Sequence, residues 1–215
     1  MKRFLTILLA ATLLLTLCAC ERKEKDKEND PSITTTTARF EAPDNVEDLA
    51  TQFIRAYYLK DLTTQHNLLL HDARQEWEER QLKDHQTEEA FCTVVQQQAD
   101  EQGLDVNIRS FDDYLREFHK RCLEQMPTVY GEYTLSITVA GSVKMNDEEL
   151  ADFIGELSGG FFSPYIEEAQ LANITEGYVV TVDYSVDGEL KDYHQAHTVK
   201  AVKCDGQWQV GTYTS

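Results

Sequence analysis

Near residue 130 the spacing of apolar side chains changes from about 3.6 residues to two, and that switch constrains the fold more than any other feature. Before it, Val46, Leu49, Ala50, Phe53, Ile54, Tyr57 and Tyr58 recur at helical spacing. They follow Asp44-Asn45-Val46-Glu47, which has the form of a capping box. A second helix is predicted from residues 63–64, with Leu69, Ala73 and Trp77 on one stripe. A third follows Thr87, turns Phe91, Val94, Val95 and Ala99 inward, and meets Gly103 as its C-terminal cap. Beyond the alternation Leu104-Val106-Ile108, Ser110 caps a fourth helix. Its stripe is Phe111, Tyr114, Leu115, Phe118, Cys122 and Met126, and Pro127 is expected to end it.

After the switch, Tyr133, Leu135, Ile137, Val139, Val143 and Met145 share one parity, with Gly141 placed to kink or bulge so long a strand. Asn146 caps a short helix with Leu150, Phe153, Ile154 and Leu157 inward, stopped by Gly159-Gly160. A strand is expected at 170–175. Tyr178, Val180, Val182, Tyr184 and Val186 then form one strand face, a further strand spans 194–204, and Trp208 and Val210 mark the last. Asp187-Gly188 and Asp205-Gly206 are hairpin signals between these runs. Helices first and an antiparallel meander last define an α+β chain, with N-terminal helices packed on a curved antiparallel sheet.

The first 20 residues determine where such a domain would sit. Lys2 and Arg3 precede an uncharged run from Phe4 to Leu17, too short for a comfortable membrane span and laid out as a secretory leader. Leu17-Cys18-Ala19-Cys20 resembles the lipobox of bacterial lipoproteins. The resemblance implies that Cys20 receives a diacylglyceryl group and becomes the mature N-terminus. The alternatives are an ordinary cleaved signal, which would not need Cys at that position, and an uncleaved helical anchor. Residues 1–19 are therefore read as leader. Residues 20–43 are read as a lipidated, disordered tether, because charges alternate from Glu21 to Glu28 and Thr34 to Thr37 follow, with little apolar surface. Such a coil spans about 25 Å by the square-root rule for flexible chains. Residues 44–215 form one domain, with a helical insertion around 84–127. The expected location is the extracytoplasmic face of the cell membrane.

The chain is 41% hydrophobic, enough for a core, and its formal charge is −18. Loss of Lys2 and Arg3 leaves 18 basic against 38 acidic residues, a charge of −20. That balance repels nucleic acid and anionic headgroups alike, so membrane attachment rests on the lipid. Beyond Cys18 and Cys20, the thiols are Cys92, Cys122 and Cys204, an odd number with no C-x-x-C. Cys92 and Cys122 fall on helical apolar stripes, as packed thiols or as a disulfide pair.

Two further stretches carry a family resemblance. The first helix, with Phe53, Tyr57 and Asp61, and the segment Val199-x-x-Val202 … Asp205-Gly206-x-Trp208-x-Val210 look like the nuclear-transport-factor-two-like fold. The resemblance spans roughly 44–83 and 130–215. It implies a cone, a bent sheet wrapped against helices, often with a pocket inside. Some members are dehydratases or isomerases that use His, Asp and Tyr within the cone. His66, His71, Asp183, Tyr184, His194 and His197 occupy comparable regions, but strand alternation separates Asp183 from Tyr184 and His194 from His197. No nucleophile elbow, Walker loop, dinucleotide fingerprint or H-E-x-x-H appears, and Glu76-x-Glu78-Glu79 reads as a solvated helix face. No catalytic residue, metal ligand or cofactor is assigned. The leading expectation is a non-catalytic domain that binds a small apolar ligand or an envelope protein, through a pocket of Phe53, Tyr57, Tyr184 and Trp208. A lyase or isomerase in the cone is the alternative.

Lipidation at Cys20 is checked by Cys20→Ala, which is expected to move the protein into the soluble fraction or leave it unprocessed. Normal processing with full membrane retention in cell fractionation would refute it.

Overall fold

Residues 42–214 are described by a computed structural model, and the leader, Cys20 and nearly all of the expected tether lie outside them. Among the described residues are seven α-helices and a four-stranded antiparallel sheet in the order β1-β2-β3-β4, which is open, with β1 and β4 at its edges. No helix among the described residues is long and apolar enough to cross a membrane.

Helix α1 (Val46–Leu59) begins one residue later than the capping pattern suggests. The cap is Asn45, whose side-chain oxygen accepts the Asp48 N–H at 2.8 Å. Its inward face, including Leu49, Ala50, Phe53 and Ile54, is inaccessible to solvent. The single helix expected from 63 to 77 is two. Helix α2 (Leu62–Leu68) is capped by Asp61 and α3 (Ala73–His85) by Asp72. The break has a physical cause. Leu69 is extended and forms a parallel bridge to Val210, and the Leu70 N–H donates to the Val210 carbonyl at 2.9 Å. Consecutive leucines thereby reach different cores, Leu69 on one side of the sheet and Leu70 on the other.

Helix α4 (Glu88–Glu101) has Thr87 as its cap. It closes through Gly103 at φ +68°, with the Leu104 N–H bonded to the Ala99 carbonyl. Phe91 and Ala99 point inward as expected, but Val94 is 40% exposed. Helix α5 (Phe111–Tyr130) starts at the Ser110 cap and runs through Pro127 for another turn, to Gly131 at φ +74°. The proline removes one backbone donor without stopping the helix, and its own carbonyl still accepts the Gly131 N–H at 2.9 Å. Helices α3 to α5 share an aromatic core in which Trp77 and Phe91 each lie 5.1 Å from Phe111.

Strands β1 (Tyr133–Lys144), β2 (Ile174–Gly188), β3 (Tyr193–Cys204) and β4 (Gln207–Thr214) follow. The bulge expected at Gly141 is present, and it inverts the alternation. Ser142, not Val143, faces buried Val180, so Val143 is 67% exposed. Helix α6 (Asp147–Gly159) has the Asn146–Glu149 capping box. A 3-10 turn (Ser163–Tyr165) and α7 (Glu168–Ala172) come next; α7 replaces the strand expected at 170–175 because Glu167 and Gln170 close a capping box there. The Asp205-Gly206 turn has φ +50° and +79°, as a two-residue hairpin requires. The other Asp-Gly pair does not make such a turn. Gly188 ends β2, and residues 189–192 form the connection.

The α+β class is as expected. One sheet face, with Val180, Val182, Tyr184, Val199, Ala201 and Val210, packs on α1. The opposite face, with Val179, Val202 and Cys204, packs on Phe153 and Leu157 of α6. The strand ring beside Phe53 and Tyr57 is Tyr213, at 4.8 and 5.5 Å. Trp208, which its alternation with Val210 predicts to pack on the first helix at Phe53 or Tyr57, meets Tyr178 edge-on at 5.4 Å. Phe53→Ala is accordingly expected to cost about 3–5 kcal/mol, and half-buried Trp208→Ala clearly less. Urea unfolding compares the two, and an equal or larger loss at Trp208 would refute this packing.

Candidate functional site

The break between α2 and α3 leaves a pocket of about 450 Å³ against the end of β4. Ala73, Glu76, Trp77 and Arg80 of α3 line it at the spacing of one helix face, opposite Gln65, His66 and Leu69. Phe162, from the loop after α6, and Tyr213 supply further aromatic wall. Gln65, His71 and Glu76 are the polar residues buried deepest here, at 8, 5 and 8% exposure.

The electrostatics follow from that burial. Glu76 is bonded by the Arg80 guanidinium on its own helix, and His71 Nε2 stands 3.6 Å from its second oxygen. The His71 ring stacks on Phe162 at 4.2 Å. Burial lowers the His71 pKa, opposed by the Glu76 and Asp72 carboxylates. Burial, helped by Arg74 and His71, pushes His66 down to about 4, so its ring is neutral near neutral pH. His66 Nδ1 is buried without a hydrogen-bond partner among the described residues.

A second polar cluster lies under α1. His197 is 1% exposed, and its Nε2 is 2.6 Å from the Tyr58 hydroxyl. That hydroxyl also donates to Gln195 Oε1 at 3.2 Å and lies 3.3 Å from the Tyr193 hydroxyl. The Tyr58 ring stacks on Tyr184 with centroids 3.6 Å apart. Burial raises the pKa of both phenols and lowers that of His197. The Thr214 backbone opposes the histidine shift, but His197 Nδ1 has no hydrogen-bond partner in the described residues. This cluster is packed like a core and is best suited to fixing the sheet on α1.

The six acid-base candidates therefore divide. His66 and His71 share the pocket, while Tyr184 and His197 both contact Tyr58. Strand alternation puts Asp183 and His194 on the other sheet face. Of the expected pocket quartet, Phe53 and Tyr184 are fully packed, Tyr57 contacts His197 and Tyr213, and Trp208 lies beside Tyr178. None of the four lines the pocket between α2, α3 and β4.

Glu76, read from the sequence as solvated, is buried. The missed signal was Ala73-x-x-Glu76-Trp77-x-x-Arg80, a helix face that mixes a carboxylate and its i,i+4 cation with an indole. Cys92, Cys122 and Cys204 are free thiols, so the disulfide alternative is not formed. Burial and Asp205 push the Cys204 thiol up to about 11. Among the described residues no three His, Cys, Asp or Glu side chains are grouped to hold a metal ion. No family model, curated protein or solved structure matches the chain.

His66, His71 and His197 all have folded values below the usual 6.5, so the unfolded chain binds more protons than the native one in the interval beneath it. Their contribution to stability is complete above pH 6.5 and is lost as pH falls toward about 4. Thermal unfolding across this window should show the loss beginning above the carboxylate range, with a shallower slope in His66→Gln. A flat profile there would refute the burial of neutral imidazoles.

Proposed function

We propose that the protein is a membrane-anchored bacterial lipoprotein, held at Cys20, whose non-catalytic extracytoplasmic domain binds a small ligand in the pocket between α2, α3 and β4. The fold is read as nuclear-transport-factor-two-like. The sheet curves over α1 as one wall of a cone, and the pocket opens at the cone's edge. Supporting this reading, α1 packs across the inner sheet face and bulges interrupt β1 and the β3–β4 pairing. The observation that carries the binding role is the pocket's lining: aromatic walls with buried polar side chains, the usual composition of a small-molecule site. An envelope protein remains the other class of partner for such an anchored domain.

One observation favours an enzyme as the second reading. His71 and Glu76 face each other at 3.6 Å inside the same pocket as His66, which brings titratable groups together as acid-base chemistry needs. In that reading His71→Gln would abolish turnover of a bound substrate while leaving its affinity nearly unchanged.

Thr212→Phe, at the pocket wall, is expected to fill the site while preserving the strand. Ligand-observed NMR against a neutral aromatic fragment set should give binders to the wild type that the variant loses. Fragments that bind both proteins equally, with none lost in Thr212→Phe, would place binding elsewhere and refute this site.

A further inference from the structure

We infer that this pocket takes a small uncharged planar molecule whose edge presents a hydrogen-bond donor beside an acceptor, as an aromatic carboxamide or lactam does. The inference rests on the pocket reading above and names the class of ligand it would hold.

The polar groups left for a ligand are neutral. Gln65 is more than nine-tenths buried, and its carboxamide makes no hydrogen bond to another described residue. Such a group carries both donor and acceptor, and its amide atoms are not fully buried, so they can be paired from the pocket side. His66 adds an unpartnered Nδ1 from the next position along α2. A neutral imidazole nitrogen gives one donor or one acceptor, according to tautomer. A ligand edge carrying both kinds of group answers Gln65 and His66 together, whereas a hydrocarbon would leave them unpaired.

The charges are already matched. The Glu76 carboxylate holds Arg80, and burial keeps His66 and His71 uncharged. An anion would have to draw Arg80 from a buried carboxylate, and a cation would have to displace it. Drawing Arg80 away strands the buried Glu76 carboxylate, the costliest kind of mismatch, and a cation must outcompete a guanidinium already in place on the same helix. Shape argues for flatness. The stacked His71–Phe162 pair, Trp77 and Tyr213 offer ring surfaces, and about 450 Å³ accommodates one or two rings.

Four molecules of one shape separate the possibilities: benzamide, benzoate, benzamidine and toluene. The full-length protein is placed in phospholipid nanodiscs with empty nanodiscs as blank. Trp208→Phe leaves Trp77 as the only tryptophan, and its indole N–H resonance reports occupancy. Benzamide is expected to bind at least about tenfold more tightly than each of the others, the worth of one to two satisfied hydrogen bonds. Gln65→Leu and His66→Leu should each bring benzamide toward the toluene level while toluene affinity holds, which also reports an intact fold. Tightest binding by benzoate, or by benzamidine, overturns the neutral class in favour of an Arg80 or a Glu76 site. Equal binding of toluene and benzamide overturns the hydrogen-bonding edge. In those cases the pocket reading survives. Failure of all four to perturb Trp77 removes the pocket reading itself.

Discussion

A two-residue contact between a helix break and an edge strand organises much of this domain. Leu69 and Leu70 leave the helical path to pair with Val210, itself fully buried. An extended pair places its side chains on opposite sides, so one leucine joins the core beneath α1 and the next joins the core beneath α6. The contact therefore ties β4 to the helical half and couples the two sheet faces. It also sets α2 and α3 apart by the width that becomes the pocket. Without it, residues 62–85 could continue as one helix, as their apolar spacing suggests.

The polar interior is arranged around neutrality. Burial disfavours the charged forms of His66, His71 and His197, and Glu76 is compensated within its own helix turn. The rest of the chain is strongly acidic, with a formal charge of −18. Its carboxylates are mostly on the surface, where water and ions screen them. The domain thus presents an acidic exterior and a pocket whose one carboxylate is paired with a guanidinium.

The helices and strands were largely legible because local periodicity and caps carried them. Asn45, Thr87, Ser110 and Asn146 all stand at helix starts, and Gly141 marks the bulge. Failures came where a distant partner outweighed local pattern. The helix break needs Val210, some 140 positions away, and no window around Leu69 contains that information. The inversion at Val143 needs the register of β2. The site was less legible still. His66 and His71 were visible as candidates, but Glu76 looked solvated among its acidic neighbours until tertiary packing buried it. The aromatic quartet expected to line a binding pocket dispersed, because Phe53 and Tyr184 serve the core beneath α1 and Trp208 packs on Tyr178 instead.

The bulge at Gly141 also has a bearing on how such molecules behave when crowded. Strand β1 is an edge of twelve residues, long enough to template pairing with a neighbour's strand. Its register shifts between Val139 and Gly141, which bends the strand and breaks the regular row of backbone donors and acceptors. The lipid anchor proposed at Cys20 would confine many copies to two dimensions with their edges at similar heights. An interrupted edge is then a defence against lateral zippering: each domain can meet its neighbours repeatedly without offering them a straight strand to extend.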